Sequence, residues 1–216
     1  NRSGGVINEY KINESRFGNG DELLGGGVGQ SVANIGDLNE DGVVDLAVGE
    51  YQNRDGGTSN GAVWILFLNT NGSVKNEYKI NETSFGNGSE LRDNSFGTSV
   101  ANIGDLNGDN VTDIAVGAPD GSGTDGVVWI LFLNQSGGVK GDYKINESRF
   151  GNGNEFSGND NFGQAITNIG DLDKDGIQDI AVGLDTSNND GVIWILFLNQ
   201  SGGVRNEYKI NETRFG

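Results

Sequence analysis

The sequence predicts an all-β protein of three similar units, each with four antiparallel strands, preceded by one additional outer strand. Two observations support this prediction. An apolar heptapeptide that contains a Trp recurs at even spacing, at Trp64, Trp129 and Trp194. Clusters of Gly, Asn and Asp separate each copy from other short apolar runs, which is typical of short strands joined by tight turns.

The four strands of a unit are clearest in the first copy, at residues 30–35, 45–48, 62–68 and 76–80. The third strand is apolar at every position from 63 to 68, so both of its faces must be buried between neighbouring sheets. The fourth strand alternates apolar and charged residues, which fits an outer edge strand with one wet face. We therefore expect the Trp side chains to pack in the core and not to form a sugar-stacking surface.

The fourth-strand motif Tyr-Lys-Ile-Asn-Glu occurs four times, one more than the Trp heptapeptide. Its first copy begins at Tyr10 and predicts the additional outer strand at residues 6–12. This strand is redundant, because each unit already contains a fourth strand. It resembles the fourth strand of a preceding unit, which would belong to another subunit or to an upstream part of a longer polypeptide. The predicted boundaries are 1–16 for the additional strand, 17–84 for the first unit, 85–149 for the second and 150–216 for the third.

Four strands per repeated unit is the pattern of β-propeller blades. Closed propellers have about four to eight blades, so three blades leave apolar faces that a partner must cover. We expect that partner to be another copy of the chain. The copies would join head to tail in an open array or fibre, or close as a dimer of six blades, and the redundant strand favours the array.

The second unit carries the most complete set of sequence markers. Phe96-Gly97 opens this unit, as Phe162-Gly163 opens the third, and an Asp-rich loop separates it from the Gly-Ala-Pro at residues 117–119. This pattern resembles the FG-GAP repeat of integrin α-chain propellers, over nearly the whole chain. Departures from it are Val28-Gly29 in the first unit, and Gly-Glu-Tyr at 49–51 and Gly-Leu-Asp at 183–185 in place of Gly-Ala-Pro.

The loop between the first two strands of each unit places oxygen-bearing side chains at its positions one, three, five and nine. In the first unit these are Asp37, Asn39, Asp41 and Asp45, and a backbone carbonyl at Val43 would join them. Calcium takes six to eight oxygen ligands, which alternate side chains on a tight loop can supply. Magnesium is disfavoured because it retains its waters and needs a strict octahedron. The resemblance implies that the loop binds calcium.

The other two units repeat this loop, so we expect three calcium sites. The predicted ligands are Asp105, Asn107, Asp109, Val111 and Asp113 in the second unit, and Asp171, Asp173, Asp175, Ile177 and Asp179 in the third. Asn110 replaces the usual Gly at position six, and Asn tolerates the left-handed backbone conformation. The third loop has four carboxylates and is predicted to bind most tightly. The alternative is that these loops are Asx turns that need no metal.

Composition limits the classes of partner and activity. The formal charge of −17 repels nucleic acid and anionic lipid headgroups, and no apolar run is long enough to insert into a membrane. Cys and His are absent, which removes thiol nucleophiles and the commonest general base. A glycosidase-type carboxylate pair would need the acids of the metal loops, so we expect no enzyme activity.

Ten Asn-x-Ser/Thr sequons are present, and several recur at the same turn of each unit. Exposed turns tolerate a bulky glycan. Asn110 is a doubtful candidate because it lies inside a predicted calcium loop. The candidate glycosylation sites are Asn1, Asn13, Asn71, Asn81, Asn87, Asn134, Asn146, Asn199 and Asn211.

Together these features predict an extracellular or cell-surface protein with a structural or adhesive role, stabilised by calcium and N-glycosylated. The alternative is an integrin-like or lectin-like module. It would bind a protein or glycan through the long loops at residues 15–29 and 84–95.

Overall fold

A computed structural model describes residues 6, 8–13, 27–54, 60–84, 95–120, 125–149, 156, 160–185 and 191–211. These residues form three four-stranded antiparallel sheets, which confirms the predicted all-β fold. Blade 1 contains β1 (Val28–Gly36), β2 (Asp45–Glu50), β3 (Ala62–Leu68) and β4 (Val74–Ile80). Blade 2 contains β5 (Ser99–Gly104), β6 (Asp113–Ala118), β7 (Val127–Leu133) and β8 (Val139–Ile145). Blade 3 contains β9 (Ala165–Gly170), β10 (Asp179–Leu184), β11 (Val192–Leu198) and β12 (Val204–Ile210).

Strand order follows chain order in every blade, so each strand pairs with its sequence neighbour through a short turn. The helical structure among the described residues is one 3₁₀ turn, Glu147–Arg149. Within the described parts of the chain, no helix has the length and apolar character needed to cross a membrane.

The third strand of blades 1 and 2 is almost entirely buried, as its apolar sequence predicts, whereas alternate residues of the third strand of blade 3 are exposed or partly buried. Trp64, Trp129 and Trp194 are all buried, which confirms that they belong to the core. A Lys from the fourth strand lies over each indole ring, with its Nζ 4.7 Å from the centroid of Trp64 and 5.2 Å from those of the other two. Each blade therefore repeats one cation–π contact between its third and fourth strands.

The blades stack through two continuous apolar clusters. In the first, Val63 and Ile65 of blade 1 pack in one buried group with Trp129 and Leu131 of blade 2. In the second, Val128 and Ile130 pack with Trp194 of blade 3. Alternate residues of β7 thus face opposite neighbours, so the middle blade buries both faces of its third strand.

Polar contacts repeat at the same places in both junctions. The Ser31 hydroxyl donates to the carbonyl of Gly97 at 2.9 Å, and the Ser99 hydroxyl donates to that of Gly163 at 2.7 Å. The side-chain amide of Asn102 donates to the Asn34 carbonyl. In the same way, Asn168 donates to the Asn102 carbonyl. The same polar contacts therefore join each blade to the next at both junctions.

The additional strand predicted at residues 6–12 is not formed by described residues 8–13, which have no regular secondary structure. A strand requires a hydrogen-bonded neighbour, and no strand of the described sheets pairs with this segment. The segment still contacts blade 1, since Ile12 packs against a small apolar cluster of Val48, Trp64 and Leu66. The predicted boundaries after residues 16, 84 and 149 each adjoin residues that lie outside the described parts of the chain. They therefore stay predictions.

Candidate metal centres

The three predicted metal loops lie where the sequence places them, between the first and second strands of each blade. In each loop the ninth residue, Asp45, Asp113 or Asp179, is the first residue of the second strand. The other predicted ligands lie in the turn before it and are exposed or partly buried. The loops share one edge of the stacked sheets, because all three blades have the same topology.

The first residue of each loop organises the turn through its carboxylate. Asp37 accepts hydrogen bonds from the backbone amides of Asp41 and Gly42, at 2.9 and 2.7 Å. Asn39 and Asp41 each accept a further backbone amide two residues along the chain. The loop is thus wrapped around its own side-chain oxygens, as expected for an Asx-rich turn.

Positive φ angles allow this tight wrapping. Position six has φ of 86° at Gly42, 65° at Asn110 and 90° at Gly176, so Asn110 adopts the left-handed conformation that the sequence required of it. Position four is also left-handed, at Glu40, Gly108 and Lys174. The sequence analysis missed this second left-handed position, because Glu and Lys carry no turn signal.

The ninth residue of each loop is a fully buried Asp. Its two oxygens accept backbone amides, which for Asp113 come from Leu106 and Leu133 at 3.0 and 3.1 Å. Burial raises the pKa of Asp113 to about 6 and raises the pKa of Asp45 and Asp179 as well. A buried carboxylate is stabilised in its charged form by a nearby cation, so this position suits a metal ligand.

The third loop brings its carboxylates closest together. One oxygen from each of Asp171, Asp173 and Asp179 lies within 4.8 Å of the other two. These hard oxygen donors fit calcium, which is bound through carboxylates at about 2.3–2.6 Å. The first and second loops carry an amide, Asn39 or Asn107, at the corresponding third position. The donor set of all three loops therefore fits calcium.

A Lys or Arg side chain of the fourth strand forms an ion pair with each loop. The sequence analysis did not predict these ion pairs. Lys75 pairs with Asp41 at 2.8 Å, Lys140 pairs with Asp109, and Arg205 pairs with both Asp173 and Asp175. The hydrogen bond from Lys75 lowers the pKa of Asp41. A positive residue directly after the first Val of each fourth strand could have indicated these contacts.

The sequons differ in accessibility. Among those in the described residues, Asn13, Asn71 and Asn110 are exposed, and Asn134, Asn146, Asn199 and Asn211 are partly buried. Asn81 is only 8% exposed, and its side-chain Oδ1 accepts hydrogen bonds from Thr83 and Ser84. Asn1 and Asn87 lie outside the described residues.

Comparison with known proteins identifies the repeat. The FG-GAP repeat family matches residues 28–66 and 96–131, which run from the first strand of blades 1 and 2 into the third. The chain is 33% identical to integrin alpha-4 of Xenopus laevis over 172 residues, and 37% identical to integrin alpha-6 of Gallus gallus over 166. Drosophila melanogaster integrin alpha-PS5 is 33% identical over 162 residues.

These alignments cover most of this chain but a small part of the relatives. They include 77%, 75% and 75% of the chain, in the order given, and 15%, 14% and 15% of the three integrin chains. The chain therefore spans only about one seventh of the length of these relatives.

Proposed function

This chain is an FG-GAP repeat protein, and we propose that it is a calcium-stabilised extracellular adhesion module that acts by binding and not by catalysis. Integrin α chains are cell-surface proteins, and we assign the same location to this chain. The observation that supports the calcium role is the buried Asp at the ninth position of every metal loop. The role of the ion would be structural.

Calcium would hold the turn between the first two strands together. Asp171, Asp173 and Asp179 would hold it in blade 3, with the corresponding residues in the other blades. The ion supplies positive charge to acids that otherwise repel one another across a short distance. In blade 3 the same acids are partly neutralised by Arg205, so calcium binding there has to displace or rearrange that guanidinium.

The adhesive role includes contact between copies, and the end faces of the stack support it. Leu38 and Leu106 are 3% and 2% exposed, because the next blade covers them, whereas the equivalent Leu172 of blade 3 is 54% exposed. Ile193 is 43% exposed, whereas the equivalent Val63 and Val128 are fully buried. No blade among the described residues covers this face of blade 3, and blade 1 of a second copy would cover it, head to tail.

Recognition of a separate protein or glycan ligand is the second candidate function, and the similarity to integrin α chains favours it. The loops expected to carry it, residues 15–29 and 84–95, lie mostly outside the described residues. N-glycosylation of the exposed sequons is part of the proposal, since Asn13 and Asn71 are accessible.

Thermal unfolding with and without calcium tests the structural role. In millimolar calcium we expect a melting temperature several degrees above that in EGTA, because a ligand that binds only the folded state stabilises it. Magnesium at the same concentration is the control and should recover little of the shift. Equal melting curves in calcium and EGTA would contradict a structural calcium role.

A further inference from the structure

We propose that Asn107 in the second metal loop is a site of spontaneous deamidation, and that calcium bound in this loop protects it. This inference rests on the calcium role proposed above, because the ion is what protects the side chain. It adds a covalent change that occurs in the loop when calcium is absent and is not reversed when calcium returns.

An Asn followed by a Gly is the pair in which this reaction is easiest. The backbone nitrogen of the Gly bonds to the side-chain Cγ of the Asn, and the side-chain amide leaves as ammonia with the proton of that nitrogen. Water then opens the cyclic imide to aspartate or isoaspartate. Gly favours the attack because it has no Cβ and its backbone moves freely, and Asn is one of the thermally labile residues.

Three Asn-Gly pairs lie among the described residues, in three different surroundings. They are Asn60-Gly61, Asn71-Gly72 and Asn107-Gly108. The reacting atoms of the three pairs are the same, so differences in their rates report the surroundings alone.

The first pair is held at the junction of blades 1 and 2. Asn60 is 1% exposed, and its side-chain amide donates to Glu82. The backbone amide of Gly61 donates to the Asn53 carbonyl at 3.2 Å, and a Cβ at Gly61 would lie 2.0 Å from the backbone oxygen of Phe96. Neither the side chain nor the backbone has room to form the imide, so we expect Asn60 to be inert.

The second pair lies in the hairpin between β3 and β4, outside the predicted calcium ligands. Asn71 is exposed, and its Oδ1 accepts hydrogen bonds from the backbone amide and the hydroxyl of Ser73, at 3.0 and 2.7 Å. These contacts are local and do not involve a metal loop. We therefore expect Asn71 to deamidate at the same rate with and without calcium.

The third pair lies inside a metal loop, where Asn107 is the predicted ligand at position three. Gly108 is exposed with φ of 81°, and a Cβ there would meet nothing within 4 Å. The Oδ1 of Asn107 accepts the amide of Asp109 at 2.9 Å, and the amide of Gly108 donates to Asp105 at 2.8 Å. A donor thus polarises the carbonyl under attack, and a carboxylate lies at the nitrogen that must lose its proton.

Calcium opposes this reaction. With the ion bound, the Asn107 oxygen and the Asp105 carboxylate would hold the metal, so neither moves without the loss of a ligand. Only the calcium-free fraction of the protein reacts, so the rate depends on occupancy. Isoaspartate lengthens the backbone and displaces the later ligands Asp109 and Asp113, whereas aspartate gives the acid that the third loop carries as Asp173.

The test uses the full chain from a host that does not N-glycosylate, incubated in calcium or in EGTA below its melting temperature in EGTA. Peptide mass spectrometry follows deamidation at Asn60, Asn71 and Asn107. At a calcium concentration of about ten times the dissociation constant of the second loop, we expect Asn107 to react about tenfold more slowly than in EGTA. The rate at Asn71 should not change, and an intact Asn60 verifies that the protein stays folded.

Gly108→Lys is the matched variant, because Lys174 holds the same left-handed position in the third loop, with φ of 64°. It leaves the ligands in place and hinders the attack on Cγ. We expect Asn107 of this variant to deamidate severalfold more slowly than wild type in EGTA, with the calcium-dependent melting shift retained.

Equal rates at Asn107 in calcium and EGTA, beside a melting temperature that calcium raises, would overturn this inference and leave the structural calcium role intact. Equal rates together with equal melting curves would overturn both. An Asn107 that stays intact in EGTA while Asn71 reacts would also overturn the inference, because the loop would then be inert without the ion.

Discussion

The hydroxyl of Ser31 donates a hydrogen bond of 2.9 Å to the carbonyl of Gly97, which begins the next blade. Ser99 makes the same contact with Gly163, and there the bond is buried. The third blade has Ala165 at this position and no described blade beyond it. The hydrogen bond is therefore present at both described junctions between blades. Its removal by mutation tests how the blades are held together.

Loss of this hydroxyl at a junction should weaken the stack. We expect Ser99→Ala to lower the free energy of unfolding by about 1–2 kcal/mol, because the Gly163 carbonyl loses a buried donor. Chemical denaturation monitored by tryptophan fluorescence measures the change. Ala165→Ser is the matched control and should be neutral in the monomer. Equal effects of the two substitutions would mean that the hydrogen bond does not stabilise the junction.

Close backbone contact makes Gly117 intolerant of a side chain. A Cβ at Gly117 would lie 2.0 Å from the Gly163 carbonyl oxygen, whereas one at the equivalent Gly183 would have Ala165 as its nearest neighbour, at 3.3 Å. We expect Gly117→Ala to destabilise the protein by about 3 kcal/mol or more, since the next blade must move away.

The control for this overlap is Gly183→Ala, for which we expect a change below about 1 kcal/mol. Both variants are compared by urea denaturation in saturating calcium. If Gly117→Ala is as stable as Gly183→Ala, blade 2 and blade 3 are not in the close contact described here.

The guanidinium of Arg205 competes with calcium for the third loop. It pairs with Asp173 at 2.6 Å and also with Asp175, so we expect Arg205→Gln to bind calcium several-fold more tightly at that loop. Calorimetric titration measures this in a background with Asp37→Ala and Asp105→Ala, which remove the first ligand of the other loops. Arg205→Lys retains the charge and should fall in between. Weaker binding by Arg205→Gln would instead mean that the guanidinium organises the ligands.

Accessibility should decide which sequons carry glycan. Expressed in a host that N-glycosylates, the chain should be modified at Asn71, which is exposed at the hairpin between β3 and β4. Asn81 should be modified far less, because it is 8% exposed and its amide is engaged in a turn. Peptide mass spectrometry measures both occupancies in one sample. Higher occupancy at Asn81 than at Asn71 would contradict this order.

Much of the fold could be predicted from the chain alone, because repetition multiplies weak local signals. One apolar run such as residues 62–68 is ambiguous, but three copies with the same flanking turns identify the third strand of a blade. The candidate metal loops could be located in the same way, since alternate Asp and Asn around a left-handed residue are typical of a turn that can bind a cation. The similarity to integrin α chains agrees with the recognition of the repeat.

Contacts between distant residues could not be predicted in this way. The pairing of Arg205 with Asp173 joins a residue of β12 to one in the loop between β9 and β10. The local sequence shows a recurring positive residue in the fourth strand, but it does not show which acid that residue contacts. Residues 8–13 are a similar case, because their sequence is that of a fourth strand but none of the described sheets includes them.

The sequence by itself thus predicted the repeat, the four strands of each unit and the loops that carry the candidate oxygen ligands, all of which depend on residues close together in the chain. The tertiary structure alone decided which faces are covered. Leu38, Leu106 and Leu172 occupy equivalent positions, yet only Leu172 is exposed. The physical reason is that burial depends on what lies beside a blade, and identical repeats differ only in their neighbours.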